Sequence, residues 1–389
     1  MRYFVFFLLG LATVQCDNLL EKFVTSNRQF SSDVYKKIKT IERGNFLFCP
    51  LSVEIILALT RVGARGNTGT QLSKALHLPN DINEIEQIFK KLTPKLKSAE
   101  GYTLNSANRI YLNNGYEIRK DFENIAQNSF AADIKNINFD NQQKAASEIN
   151  QWVSDQTHEK IKDLVDPNSF TTNTRSVLVN ALYFKSTWAT PFYKHATESK
   201  YFYLNNDDHV DVDMMEVTDR FKYFQSDELK AQFLEMPYAG NQYSMVLALP
   251  YEKEGLEQLE NKLEDVLEIS QAYEAKVHVQ VPKFKTEFKV ELTDILKNLG
   301  IKDLFEEDAE LIAFTTSRPQ VVKVSGVVQK AVIEVDEEGT TAAAATAVFV
   351  DIIRPAPPTP IEEFNADHPF IYYIKGASGV MFIGRYVHK

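Results

Sequence analysis

Glu337-Glu338-Gly339-Thr340-Thr341-Ala342-Ala343-Ala344-Ala345-Thr346-Ala347-Val348-Phe349-Val350 leads directly into Asp351-Ile-Ile-Arg-Pro-Ala-Pro-Pro-Thr-Pro360. From Thr340 to Val350 there is no charge, no proline and almost no bulk. Every second residue is Thr340, Ala342, Ala344, Thr346, Val348 or Val350. On a strand these share one face, and each is small or β-branched. Such a face can enter a tight gap between two strands without overpacking it. The stretch that follows is charged and proline-rich, so it cannot join a sheet interior and reads as an extended surface tether. Alanine favours helix, so an Ala-rich helix or a plain linker is the competing reading.

Outward from this run, the chain mixes helix and strand patterns without a domain break, helices dominating the first 170 residues and strands the middle and end. Residues 18–42 carry apolar positions at helical spacing, as do residues 82–96, and 292–301 form a short helix pattern. Strand runs lie at 103–112, 176–184, 232–238, 243–249, 276–281 and 331–335. Strict strand–helix alternation is missing, which argues against a doubly wound parallel sheet. No linker or internal repeat divides the chain. The expectation is one large α+β domain.

The start of the chain reads differently. Arg2 precedes the apolar run Tyr3 to Leu11, with small residues following. That run is too short for a bilayer span of about 20 residues and matches a secretory signal cleaved before Asp17. A lipid-anchored Cys16 is the competing reading. The expected organisation is a signal peptide, 1–16, and a domain, 17–389, that is extracellular and not membrane-bound.

Composition removes several function classes. The chain is 44% hydrophobic and 25% charged, enough apolar material for a real core. A formal charge of −10 argues against nucleic acid as a partner, and two cysteines exclude a disulfide scaffold or a multi-cysteine zinc module. Gly63-Ala-Arg-Gly-Asn-Thr-Gly69 lacks a P-loop lysine and reads as an inter-helix turn. His158-Glu159 lacks the second histidine that zinc chemistry needs, and Gly376-Ala-Ser-Gly379 lacks the spacing of a nucleophile elbow. No metal, cofactor or enzymatic activity is expected.

The stretch Phe364-Asn-Ala-Asp-His-Pro-Phe-Ile-Tyr-Tyr-Ile374 resembles the serpin family signature. So do Asn45-Phe-Leu-Phe-Cys-Pro-Leu-Ser52, Gly63 to Thr68, Val179-Asn-Ala-Leu-Tyr-Phe-Lys-Ser-Thr-Trp188 and Val212-Asp-Met-Met215. The resemblance covers nearly all of 17–389. It implies a serpin fold with three β-sheets, eight or nine helices and an exposed reactive-centre loop at about 338–362. It also implies a monomer with a metastable native state, and suicide-substrate inhibition of a serine protease. In inhibitory members the protease cleaves the loop and is acylated. The loop then inserts into the large sheet and distorts the enzyme before deacylation. A noninhibitory carrier or chaperone is the alternative within the family.

The resemblance also assigns residues. Gly339, Thr340, Thr341, Ala342, Ala343, Ala344 and Ala345 match the loop hinge. Glu337 and Lys283 match a pair at the top of the sheet, against the reading of an ordinary exposed pair. Trp188 matches an aromatic plug where insertion begins, against that of a plain core tryptophan. Asn180 and Ser52 match the polar cluster beneath the sheet's centre. Cys49 and Gln329 depart from the family's serine and histidine there, and a weakly donating thiol predicts a looser cluster. Counting 17 residues from Glu337 puts the cleaved bond at Ile353–Arg354, favouring an elastase-like or chymotrypsin-like target. A trypsin-like target would use Arg354, but Pro355 then follows the bond. Lys90, Lys91, Lys95 and Lys97 lie on the 82–97 helix pattern, where some serpins bind glycosaminoglycan. A solvated face interrupted by Pro94 is the other reading.

Overall fold

The computed structural model describes residues 2–99, 101–268, 271–316, 322–340 and 360–388, with side chains from Leu19 onward and none for Thr340. The loop positions Thr341 to Ala345, Ile353 and Arg354 lie outside the described residues.

Two hydrogen-bonded sheets carry the fold. The first has the order β10 (Phe284–Glu291), β11 (Gly326–Val335), β4 (Ser176–Thr187), β2 (Tyr102–Asn113) and β3 (Asp133–Ile137). A short strand β12 (Gly339–Thr340) joins it on β4. The second runs β1 (Phe46–Phe48), β15 (Gly379–Tyr386), β14 (Phe370–Gly376), β8 (Tyr243–Pro250), β7 (Ala231–Pro237), β6 (His209–Ser226), β9 (Tyr273–Pro282) and β13 (Ile361–Asn365). In addition, β5 (Glu198–Tyr203) pairs with β6.

The expected third sheet is therefore not separate. β6 is 18 residues long: its first part pairs with β5, its middle from Met214 to Tyr223 with β9, and its end from Lys222 with β7. One continuous strand thus fuses two layers. A strand that long twists enough to serve both.

Nine α-helices are present among the described residues: α1 (Arg2–Ile41), α2 (Pro50–Gly63), α3 (Gly66–Ala75), α4 (Ile82–Leu92), α5 (Lys120–Phe130), α6 (Gln142–Gln156), α7 (Leu256–Asn261), α8 (Leu263–Val266) and α9 (Thr293–Asn298). The expected signal boundary at 16 falls inside α1. No helix among the described residues is long and apolar enough to cross a membrane. Within Gly63–Gly69 only Ala64 and Arg65 turn between α2 and α3; Gly66 to Gly69 already form the first turn of α3. α4 ends at Leu92 rather than near 97, followed by a 3₁₀ turn over Thr93–Lys95. Pro94 explains this: it has no N–H to bond the carbonyl four residues back, so the α-helical ladder stops although Thr93 keeps helical dihedrals.

Every residue of α2 is buried, which is why its sequence is mostly apolar, and its polar side chains Ser52, Glu54, Thr60 and Arg61 each have a hydrogen-bond partner. The six-stranded sheet is covered on both faces. Leu178, Leu182, Phe184, Val327, Ala331 and Ile333 join the main core with α2. Val177, Val179, Ala181, Val328 and Val332 pack instead with Ile149 and Val153 of α6. The near-continuous apolar character of β4 and β11 follows from this double burial.

Candidate functional site

The centre of the six-stranded sheet contains one unusual joint. β11 and β4 pair in parallel from Gly326 with Val177 to Val332 with Tyr183, and there the ladder stops. Asp336 then reverses the chain: its carboxylate accepts from the N–H of Glu338 (2.9 Å) and of Gly339 (3.1 Å). The returning chain pairs antiparallel with the head of β4, Gly339 opposite Thr187 and Thr340 opposite Ser186. Phe184 and Lys185 lie between the two ladders without a partner in either. Gly339 has φ of +138°, and a Cβ there would meet the Ser186 carbonyl oxygen at 2.3 Å. Only glycine fits this approach.

The head of the joint is braced. Lys283 Nζ donates to Glu337 Oε2 at 2.9 Å, and Thr197 Oγ1 donates to Oε1 at 2.9 Å. Glu337 is buried, so it is not an ordinary surface ion-pair carboxylate. Burial alone would raise its carboxyl, but the bonds from Lys283 and Thr197 outweigh it and hold it below the ordinary carboxylate range. Trp188 is buried, stacks on Tyr238 at 4.5 Å, and donates its indole N–H to the Asp336 carbonyl at 3.0 Å. Its backbone N–H donates to the Glu338 carbonyl at 2.9 Å.

Lower in the sheet, a closed polar cluster ties β4 and β11 to α2. Asn180 accepts at Oδ1 from Gln329 (2.6 Å) and donates to Asn108 and to Ser52. Asn108 donates on to Ser106 at 3.0 Å. Gln329 also accepts from the Cys49 N–H and donates to the Cys49 carbonyl, both at 2.9 Å. This corrects the expectation of a looser cluster. Cys49 takes part through its backbone, which a thiol side chain does not weaken, and the long Gln329 amide reaches it. Burial pushes the unused thiol's pKa up, so it stays neutral.

The chain matches the family model described as serpin (serine protease inhibitor) over residues 25–389. It is 34% identical over 372 residues to antichymotrypsin-2 of Bombyx mori, covering 94% of this chain and 98% of that protein. It is 36% identical over 382 residues to leukocyte elastase inhibitor of Equus caballus, covering 94% and 99%. The solved structure of Serpin48 from Tenebrio molitor superposes with a TM-score of 0.88 at 35% identity, covering 95% and 98%. This chain belongs to the serpin family. The serpin has the α+β fold of its relatives, and the family is one of protease inhibitors rather than enzymes.

The structure brings together Glu337 with Lys283, and Asn180 with Ser52, Cys49 and Gln329. Thr197, Asp336, Tyr238, Asn108 and Ser106 were missed, because nothing in their local sequence marks them. The four lysines do not share one helix. Lys90 and Lys91 end α4, Lys95 lies in the 3₁₀ turn and Lys97 beyond it. Lys95 and Lys97 line a groove of about 750 Å³ with Lys375.

Proposed function

We propose that this serpin is a secreted suicide-substrate inhibitor of serine proteases, with the Ile353–Arg354 bond as bait. The observation that carries the reading is the antiparallel seat of Gly339 and Thr340 on β4, beside a β11–β4 ladder that stops short of it. Two parallel strands are natural neighbours for one antiparallel strand between them, since it can bond to both edges.

Continuing the same register sets Ala342 opposite Phe184, Ala344 opposite Leu182, Thr346 opposite Asn180, Val348 opposite Leu178 and Val350 opposite Ser176, the first residue of β4. Residues directly opposite share a face. The small alternate face of the loop therefore corresponds to the core face of β4, and the run ends where β4 ends. Asp351, the first charge, falls just past it. Cleavage releases the loop to complete this strand. The acylated protease is carried with it, and distortion of its oxyanion hole stalls deacylation. The serpin contributes the acyl carbon and the sheet; the protease supplies the acid–base chemistry.

Names of the relatives include a chymotrypsin and an elastase inhibitor, which accords with an apolar Ile353 before the bond. The Arg2–Leu11 pattern supports secretion. Incubation with elastase-like, chymotrypsin-like and trypsin-like proteases tests the reading by intact mass. The expected products are an SDS-stable complex and a released peptide beginning at Arg354, with Ile353→Ala weakening inhibition far more than Arg354→Ala. Clean cleavage with no complex would overturn the inhibitor reading. A peptide beginning at Pro355 would move the specificity to Arg354.

A further inference from the structure

The loop has two anchors, and the inhibitor reading, on which this inference rests, makes both matter. Upstream is the seat of Gly339 and Thr340 on β4. Downstream is β13, a five-residue edge strand paired in parallel with β9. Short parallel edge strands are weakly held.

A chain of polar side chains crosses from β5 to β13 and ends on this anchor. Lys200 of β5 and Gln280 of β9 donate to Glu216 Oε2 of β6 at 3.1 and 3.0 Å. On the other oxygen of that carboxylate, His278 of β9 places Nε2 at 3.2 Å. Its Nδ1 lies 2.8 Å from Glu363 Oε2 of β13. A neutral imidazole has one N–H; only the imidazolium has two. With a carboxylate oxygen against each ring nitrogen, only the charged ring satisfies both contacts at once. The remaining charges nearby are Lys276 on β9 and Arg220, paired opposite it on β6. Partial burial disfavours the charged ring, but the bonds to Glu363 and Glu216 outweigh it and hold His278 above its ordinary range.

We propose that His278 is a pH-sensitive clasp that keeps β13, the downstream anchor of the reactive loop, in place. Chain length shows why the anchor matters. Full insertion without cleavage would carry Val350 to the foot of β4, about 36 Å below its head at about 3.3 Å per residue. β13 lies beyond the head, because β9 reaches the six-stranded sheet only through Lys283, where β10 begins. The eleven steps from Val350 back to Ile361 span about 34 Å at the roughly 3.1 Å per residue of a proline-rich chain, and about 38 Å fully stretched. Even stretched, the return only regains the head, and Ile361 is seated opposite Lys276, well back along β9 from Lys283, so the loop does not reach it. An uncut loop can insert fully only if β13 peels from β9, so the clasp preserves the inhibitory form. Because the folded ring is raised above its unfolded value, the stabilisation is complete below the unfolded pKa. It is lost as pH rises through the folded one.

Hydrogen exchange of the 361–365 segment in the full chain tests this, with rates corrected for intrinsic pH dependence. In the wild type, opening should increase about threefold between pH 6 and pH 8, the scale of a partly exposed charge pair. His278→Gln and Glu363→Gln should each abolish that increase and open the segment at pH 6. Equal protection of the wild type at both pH values would overturn the clasp, as would a Glu363→Gln protein that keeps the full pH response. This readout needs no protease, so a chain that shows the clasp yet forms no complex sinks the inhibitor reading alone.

Discussion

At the scale of single residues, Gln329 and Thr340 decide different properties. Gln329 satisfies both backbone groups of Cys49 and one oxygen of Asn180, 280 and 149 residues away in sequence. Gln329→Ala strands these buried groups, at about 1–3 kcal/mol for each left unpaired. A loss of about 2–3 kcal/mol in urea unfolding is expected; an unchanged midpoint would mean that water replaces the amide. Thr340 is the second residue of the antiparallel seat, opposite Ser186. Thr340→Arg requires a charge to enter the strand's core-facing register, which is strongly unfavourable. The variant should be cleaved as a substrate, and an SDS-stable complex at wild-type stoichiometry would refute the insertion register.

At the scale of elements, the brace between Lys283, which joins β9 to β10, and Glu337 at the β11 head is the informative contact. Glu337 is buried while Lys283 is about half exposed, so solvent screens part of the pair. Removing the lysine in Lys283→Met should cost about 1 kcal/mol at neutral pH. The sign follows from the depressed carboxyl: its stabilisation is present above the unfolded pKa and lost as pH falls through the folded one. The difference between wild type and variant, read from thermal unfolding, should therefore shrink on acidification. A difference that persists after Glu337 is protonated would assign the loss to packing of the lysine stem.

At the scale of the whole molecule, the fold holds an unfinished sheet. Among the described residues, Phe184 and Lys185 of β4 pair with β2 on one side and with neither β11 nor β12 on the other, and in the sequence the small alternate face from Thr340 to Val350 matches the register of β4 below. Completing the strand adds ladder bonds and buries six side chains. A gain of about 5 kcal/mol would raise the midpoint by roughly 6 °C for a domain of this size, at about 2 cal/mol/K of unfolding entropy per residue. A single cut within 351–355 should produce a rise of at least that order in calorimetry. No change after a clean cut would show that the loop stays outside, as in a noninhibitory serpin.

The amino-acid sequence by itself determined the elements with strong periodicity. α4 and the strands around 103–112 and 176–184 follow from side-chain spacing, and so does the small alternate face from Thr340 to Val350. Those signals are local, carried by neighbours along the chain. Family motifs located Glu337 with Lys283, Asn180 with Ser52, and Trp188, although their further partners stayed invisible. Asn108 and Thr197 look like ordinary strand and loop residues until strands far apart in sequence are laid side by side. The fusion of two layers through β6, the closure of the cluster by the Cys49 backbone and the clasp on His278 were decided by tertiary structure alone. Each depends on which strands become neighbours, and strand order is set by long-range packing that no local period encodes.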